Sequence, residues 1–299
     1  MALRQSLKNW YLRRTEFKWV VGVAEYSPGT ILDKSRRLKI HWVKNLPRES
    51  WFADPFILSA AQDKIYLLVE EFVYTTQKGR ISKLVVNRHS WTLEQVIPII
   101  DISTHLSFPA YFRENGKVYI YPESSRSGKL TLYEYDEGAE TTSPVNVLSN
   151  YPLADGVFLD AGEKRYIMAT TLPRDNGKVL DLYPVAAGPD AGPELQIAFK
   201  TNVARNAGVP FSVNGRQIRP AQDCTDHYGS CVVLQEIVKE NDNFVFKELR
   251  RLHSPLPLYR EAFHTFNVFE DRLAAVDAQG FRFGLFAQML YHIRESFRK

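Results

Sequence analysis

The chain is poor in the residues that staple small folds or bind metals through sulfur. Its 299 residues hold two cysteines, Cys224 and Cys231. These are too few for a disulfide scaffold and, even with His227 between them, fall short of zinc-site spacing. No run of about 18 apolar residues offers a membrane-spanning helix. No apolar leader precedes a small-residue cleavage site, which gives the expectation of a cytoplasmic protein. Phosphate-loop, dinucleotide-glycine and nucleophile-elbow motifs are missing, so no cofactor is expected. An excess of one charge is missing as well: 38 Lys and Arg stand against 34 Asp and Glu, a net +4. That is too mild to point to nucleic acid.

What the chain has is aromatic rings, 18 Phe, 15 Tyr and 5 Trp, together 13% of residues. Such residues suit strands and also stack on sugar rings. A hydrophobic content of 44% with 24% charged residues is that of a soluble globular protein. Positive charge gathers at the ends, with Arg4, Lys8, Arg13, Arg14 and Lys18 at one and Arg294, Arg298 and Lys299 at the other. Apolar residues at helical spacing accompany both (Leu3, Leu7, Trp10, Tyr11; Leu285, Phe286, Met289, Leu290, Ile293). A basic amphipathic end either packs on its own domain or lies on an anionic membrane surface. The expected organisation is a basic amphipathic segment over residues 1–18, a β-domain over 19–284 and an amphipathic helix over 285–299.

A repeat runs through the middle. Five short apolar strands open at Pro- or Gly-containing turns, marked by Pro55, Pro109, Gly156, Pro210 and Phe266, with steps of 54, 47, 54 and 56 residues. Each is followed by a polar turn and a second strand, such as Lys64-Ile65-Tyr66-Leu67-Leu68-Val69 or Lys117-Val118-Tyr119-Ile120-Tyr121. Third strands start near Gly79, Gly128, Gly177 and Gly229, and a fourth carries alternating apolar residues. Four antiparallel strands per repeat of about 50 residues is the pattern of propeller blades. The expectation is therefore an all-β, five-bladed β-propeller with short basic helical termini. Its incomplete fifth blade takes an outer strand from around Leu38-Lys39-Ile40-His41-Trp42-Val43.

In an antiparallel pair, the start of one strand and the end of the next share an edge. Taken from innermost strands, that edge rings one mouth of the central channel. Strand starts contribute Asp54, His105, Asp155 and His264; strand ends contribute Glu70, Glu71, Glu123, Gln222, Asp223 and Asp277. Tyr121, Arg219 and Tyr228 are close by in sequence. Because strand neighbours alternate, only one of Glu70 and Glu71 can face the axis. Asp-Pro and Asp-Gly are also common turn dipeptides, so Asp54 and Asp155 have a structural use too. Crowded carboxylates cannot all ionise, so some should hold raised pKa values, with Arg219 lowering that of its nearest partner. That separation is what acid/base chemistry on a glycosidic bond requires. Asp54, Asp223 and Asp226 make a weak cation set, and no metal is expected.

Together, Trp51-Phe52-Ala53-Asp54-Pro55-Phe56, His105-Leu106-Ser107-Phe108-Pro109, Tyr121-Pro122-Glu123-Ser124, Arg219-Pro220-Ala221-Gln222-Asp223-Cys224 with Tyr228-Gly229, and His264-Thr265-Phe266-Asn267 resemble one family. It is the N-terminal domain family of glucosamine inositolphosphorylceramide transferase, and the likeness runs over residues 19–283. That family is similar to the five-bladed furanosidase superfamily of arabinanases and levansucrase-type enzymes. The resemblance implies Asp54 as base or nucleophile, Asp155 as the acid that orients substrate or tunes pKa, and Glu123 as general acid. The superfamily usually carries that glutamate at another blade position. Glu70, Glu71, His105, Tyr121, Arg219, Gln222, Asp223, Tyr228 and His264 would then contact substrate. Two functions follow as expectations. One is glycosyl transfer or hydrolysis on a carbohydrate or nucleotide sugar during cell-surface polysaccharide or glycolipid assembly, at the inner face of the membrane. The other is a non-catalytic sugar-binding or scaffold propeller that serves a partner glycosyltransferase.

Overall fold

The computed structural model describes residues 15–241 and 243–296. The chain enters through β1 (Phe17–Glu25) and β2 (Ile40–Trp42). Blade 1 follows as β3 (Ser50–Ala60), β4 (Lys64–Val73), β5 (Lys78–Asn87) and β6 (Leu93–Ile100). Blade 2 is β7 (Ser107–Glu114), β8 (Lys117–Glu123), β9 (Leu130–Asp136) and β10 (Thr141–Ser149). Blade 3 is β11 (Leu153–Ala161), β12 (Lys164–Thr171), β13 (Val179–Pro184) and β14 (Leu195–Ala198). Blade 4 is β15 (Phe211–Val213), β16 (Arg216–Asp223), β17 (Cys231–Glu240) and β18 (Asn243–Leu252). Only β19 (Phe266–Phe269) and β20 (Leu273–Phe281) remain for blade 5, and α1 (Leu285–Ser296) ends the chain.

Blade 5 is completed by the start of the chain, in the order β19-β20-β1-β2. The expected outer strand is β2. The fifth blade also takes its third strand from the N-terminal side, because β1 pairs with β20 over nine residues from Phe17↔Phe281 to Glu25↔Leu273. The result is a ring of five four-stranded antiparallel sheets, the predicted propeller. Of the amphipathic segment expected over residues 1–18, the first 14 lie outside the described residues.

Local sequence explains the blades. The first hairpin of blade 2 turns on Asn115-Gly116, both with positive φ (52° and 76°), as a two-residue loop with the twist of its strands requires. Pro98 and Pro144 fall in β6 and β10, the outermost strands, where a missing N–H removes no ladder bond on the solvent side. Strands nearer the axis are apolar on both faces (β4 buries Ile65, Leu67, Leu68 and Val69), because each blade packs between two others. One cluster of buried side chains runs from Phe56 and Phe108 through Val157 and Met168 to Leu180. Two more flank blade 5, one shared with blade 4 and one with blade 1.

Polar side chains also stitch blades together. Buried Asn267, at the start of blade 5, accepts the Val209 N–H of blade 4 (3.0 Å) and donates to the Pro55 carbonyl of blade 1 (3.1 Å). Asn267→Ala leaves both backbone groups without their partner, and should lower stability by about 2–4 kcal/mol in urea titrations. A loss below about 0.5 kcal/mol, the range of ordinary surface changes, would contradict the bridge.

Candidate functional site

The innermost strands of blades 1, 2 and 3 share one irregularity. Their ladders slip between Ala53 and Phe56, between Ser107 and Pro109, and between Ala154 and Val157. In each slip one residue takes left-handed backbone: Asp54 (φ 51°), Phe108 (φ 44°) and Asp155 (φ 47°). None is glycine, so each holds strain of about 1–3 kcal/mol, and such strain gathers at functional sites. The bulge also takes the residue's N–H out of the ladder, and a carboxylate from an adjoining blade accepts it. Asp54 N–H donates to Asp277 Oδ2 (3.0 Å), Phe108 N–H to Asp54 Oδ2 (3.0 Å) and Asp155 N–H to Glu123 Oε2 (3.1 Å).

Two linked groups result. In the first, His264 sits between Asp277 (Nδ1 to Oδ2, 2.8 Å) and Asp54 (Nε2 to Oδ1, 3.6 Å). Its ring stacks on Trp19 with centroids 3.9 Å apart. Burial works against charge on His264, but Asp277 and Asp54 outweigh it and raise the imidazole to about 9. Burial pushes the Asp54 carboxyl up to about 7; His264 opposes this, while Glu70 and Asp277 add to it. Thr265 Oγ1 donates to the same Asp54 Oδ1 that faces His264 (3.2 Å).

The second group is built around Arg205. Its Nε donates to Asp155 Oδ2 (2.6 Å), its Nη2 to Glu123 Oε2 (3.2 Å) and its Nη1 to Asp175 Oδ2 (2.9 Å). Burial disfavours this guanidinium's charge, yet Asp155 and Glu123 keep it firmly protonated. Asp155 is held well above the usual carboxylate range by burial and by repulsion from Glu123 and Asp54, which Arg205 only partly offsets. Gln222 donates to Asp155 Oδ2 (2.7 Å). Tyr228 joins the groups: the Arg205 guanidinium lies 5.2 Å over its ring, and its edge meets His264 at 5.4 Å. With 38% of its surface exposed, Tyr228 offers an open aromatic face at the mouth.

Register puts Glu70 opposite Ala53, Glu123 opposite Ser107 and Thr170 opposite Ala154. Buried oxygens of Glu70 (Oε1), Thr170 (Oγ1) and Gln222 (Oε1), all near strand ends, have no hydrogen-bond donor among the described residues. Each such orphan costs about 1–3 kcal/mol, and all three atoms are closed off from solvent. His105 Nε2 lies 3.2 Å from Glu70 Oε1, within ion-pair reach but off the line of a hydrogen bond. The Gly79 N–H donates to His105 Nδ1 (3.0 Å), so the neutral ring carries its proton on Nε2, toward Glu70. Only glycine fits there, because a Cβ would come within 2.5 Å of the Leu106 carbonyl.

The structure thus gathers Asp54, Glu70, His105, Glu123, Asp155, Gln222, Tyr228, His264 and Asp277. It turns four expected members away. Glu71 faces the other side of β4, held by Arg80 (2.9 Å) and Ser82 (2.7 Å). Tyr121 is buried against Phe158 and Phe112. Asp223 is paired with Arg251 on the outermost strand of its blade. Arg219 is wholly buried, its donors spent on Asn206, Gln235 and the carbonyls of Val203 and Ala204. It lies between the rings of Phe199 and Phe246, without a carboxylate, and burial lowers it to about 9. Arg205 fills the role expected of Arg219. It stands in a segment without strand pattern, where no periodic signal marks it.

Asp54, His264 and Asp277 offer three potential ligand atoms within 4.8 Å of one another. The donors already present argue against a cation there. His264 holds its proton to about 9, and Asp277 accepts the N–H groups of Asp54, His264 and Thr265.

Residues 43–254 match the family model described as glucosamine inositolphosphorylceramide transferase 1, N-terminal. The chain is 27% identical over 196 residues to glucosamine inositolphosphorylceramide transferase 1 of Arabidopsis thaliana, covering 63% of this chain and 26% of that protein. Its counterpart in Oryza sativa subsp. indica is 27% identical over 198 residues, covering 64% and 26%. The chain therefore spans about a quarter of these relatives. Among solved structures it is similar to the GH43_1 enzyme of Xanthomonas citri complexed with xylotriose (TM-score 0.53, 10% identity, 79% of this chain and 88% of that one). A GH43 β-xylosidase/α-arabinofuranosidase from a compost microbial metagenome has TM-score 0.52 and 12% identity, covering 80% and 93%. At these identities the likeness is one of fold, and both share the propeller.

The buried charges set a pH dependence. From the ordinary aspartate value of 3.8 up to about 7, the folded state keeps a proton on Asp54 that the unfolded chain has lost. From 6.5 to about 9 the same holds for His264. A native state that binds more protons loses stability as pH rises, so Tm should fall from about pH 4 to about pH 9. His264→Gln should flatten the alkaline part of this decline and Asp54→Asn the part below about pH 7. A wild-type Tm that is level or rising over this interval would contradict the assignment.

Proposed function

Because the chain belongs to the family of the N-terminal domain of glucosamine inositolphosphorylceramide transferase 1, we propose that its propeller mouth acts on the glycosidic bond of a carbohydrate or nucleotide sugar, in glycolipid or polysaccharide assembly. One observation carries this reading: Asp54, a buried carboxyl held at about 7, stands on a rim of further acids beside an open aromatic face. A group that titrates near neutrality can take or give a proton at working pH. Asp155, its carboxyl held well above the usual range, and Glu123 both lie against the Arg205 guanidinium. Tyr228 provides the surface on which a sugar ring stacks. In this scheme Asp54 is the base, Glu123 the acid partner, and Asp155 with Arg205 tunes the pair.

A second reading, a non-catalytic sugar-binding propeller serving a glycosyltransferase, is favoured by a different observation. Asp54, Glu123 and Asp277 each already accept a neighbouring blade's N–H, which ties down groups that catalysis needs free. Turnover of a panel of glycosides and nucleotide sugars separates the two. On the catalytic reading the wild type turns over at least one substrate, and Asp54→Asn or Glu123→Gln lowers kcat by about 100-fold or more while sugar binding persists. Sugar binding without any turnover by the wild type would overturn it in favour of the second.

Peripheral membrane contact, at the cytoplasmic face, belongs to the same proposal. On α1, Leu285, Phe286, Met289 and Ile293 are exposed, while Gln288 and His292 bond Glu261 on the body of the protein. The opposite side of the helix packs on the body through Ala287 and Tyr291, and an apolar face so anchored suits the headgroup boundary of a bilayer. Leu285→Ser with Phe286→Ser should abolish co-sedimentation with phosphatidylserine-containing vesicles. Unchanged co-sedimentation would refute the contact.

A further inference from the structure

A second concave site lies away from the central mouth, between the outer edge of blade 4 and the segment that joins β1 to β2. It is a cleft of about 310 Å³, at the lower end of the roughly 300–1,000 Å³ that small-molecule sites occupy. Six cationic side chains line it: Lys34, Arg36 and Arg37 from the joining segment, Arg250 and Arg251 from the end of β18, and Arg260 beyond it. His253 completes the polar wall, and no acidic residue lines it.

The counter-charges in contact are fewer than the cations. Asp33 reaches Arg36 at 3.8 Å, and Glu248 and Asp223 take Arg251. Lys34, Arg37, Arg250 and Arg260 make no ion pair with a carboxylate among the described residues. Arg250 is the informative one. It is buried, at 7% exposure, and its terminal nitrogens donate to the carbonyls of Ile31 and Arg36. A guanidinium taken from water without a carboxylate in contact is costly, and burial lowers its pKa although the charge of Asp33 opposes this. Those two carbonyl contacts fix the joining segment against β18, so Arg36 and Arg37 are held at the cleft with their neighbours.

Several cations converging on one small concavity, with acids excluded from the lining, form an anion site. Guanidinium forks match the oxygen geometry of phosphate, and a ring of them suits more than one phosphoryl charge. We propose that this cleft binds a phosphate or diphosphate group of a ligand, either a lipid headgroup or a soluble nucleotide. Arg251 sets the distance from the propeller mouth. It reaches from the cleft to Asp223, whose neighbour Gln222 bonds Asp155 on the rim. A phosphorylated molecule in the cleft would thus sit one blade's width from the rim acids.

Calorimetric titration of the whole protein with inorganic pyrophosphate at low ionic strength tests the proposal. Lys34→Glu with Arg37→Glu, both exposed and away from the rim, should weaken binding at least tenfold, and Asp54→Asn should leave it unchanged. The second variant separates failure of the cleft from failure of the rim's proposed chemistry. Glycerophosphoinositol and uridine diphosphate then distinguish the sources: the one that binds more tightly, with the same loss in the cleft variant, names the ligand class. No binding of any of the three at millimolar concentration, or equal binding by wild type and the cleft variant, overturns the proposal.

Discussion

The structure depends on a backbone N–H released by a bulge and captured by a carboxylate of the adjoining blade. Asp277 holds Asp54, Asp54 holds Phe108, and Glu123 holds Asp155, so three successive junctions of a five-membered ring share one device. Asn267 continues it by bridging blades 4 and 1. A propeller has no continuous sheet from blade to blade, and side-chain packing alone leaves each blade free to slide over the next. A charge-assisted bond to a strained, left-handed residue fixes that register, because the donor exists only where the bulge is.

The same device places acids where water is scarce. A carboxylate that must reach a neighbour's backbone cannot point into solvent, so Asp54, Glu123 and Asp277 are all buried, and Asp155 is buried beside them. Burial then decides their protonation. Asp54 rises to about 7, Asp155 is held high, and His264 is kept as an imidazolium between two acids. Ring closure and a tuned proton-transfer group are thus two consequences of one geometry. This also explains why the acids are not an unsatisfied excess of negative charge: Arg205 and His264 thread among them, the first binding three carboxylates and the second two.

Much of this was legible in the sequence, for physical reasons that also mark where reading stopped. The blades were readable because each hairpin must alternate apolar and polar residues and turn on a few residue types. Glu70, Glu123, Asp155 and His264 were readable because strand starts and ends recur at the same edge. The misplacements of Glu71, Asp223 and Arg219 have one origin. Rim residues alternate with residues that face the outer strands, and composition does not say which of two polar neighbours takes which side. Gln222 and Asp223 show it directly, the first bonded to Asp155 and the second to Arg251. Arg205 and Trp19 were missed for another reason. One lies in a segment without period, and the other in β1, far in sequence from the His264 it stacks on. The strain at Asp54, Phe108 and Asp155 had only a faint signature, the Pro or Gly that follows each (Pro55, Pro109 and Gly156).

The account rests on Asp54 being a buried, clamped carboxyl that titrates near neutrality. Its pKa can be read directly by following the carboxyl carbon resonance of labelled aspartate against pH, with Asp54→Asn to identify the signal. The structure predicts a midpoint near 7 for that resonance. A midpoint near 4, the value of a solvated aspartate, would mean that Asp54 is neither buried nor tuned, and the account would fail.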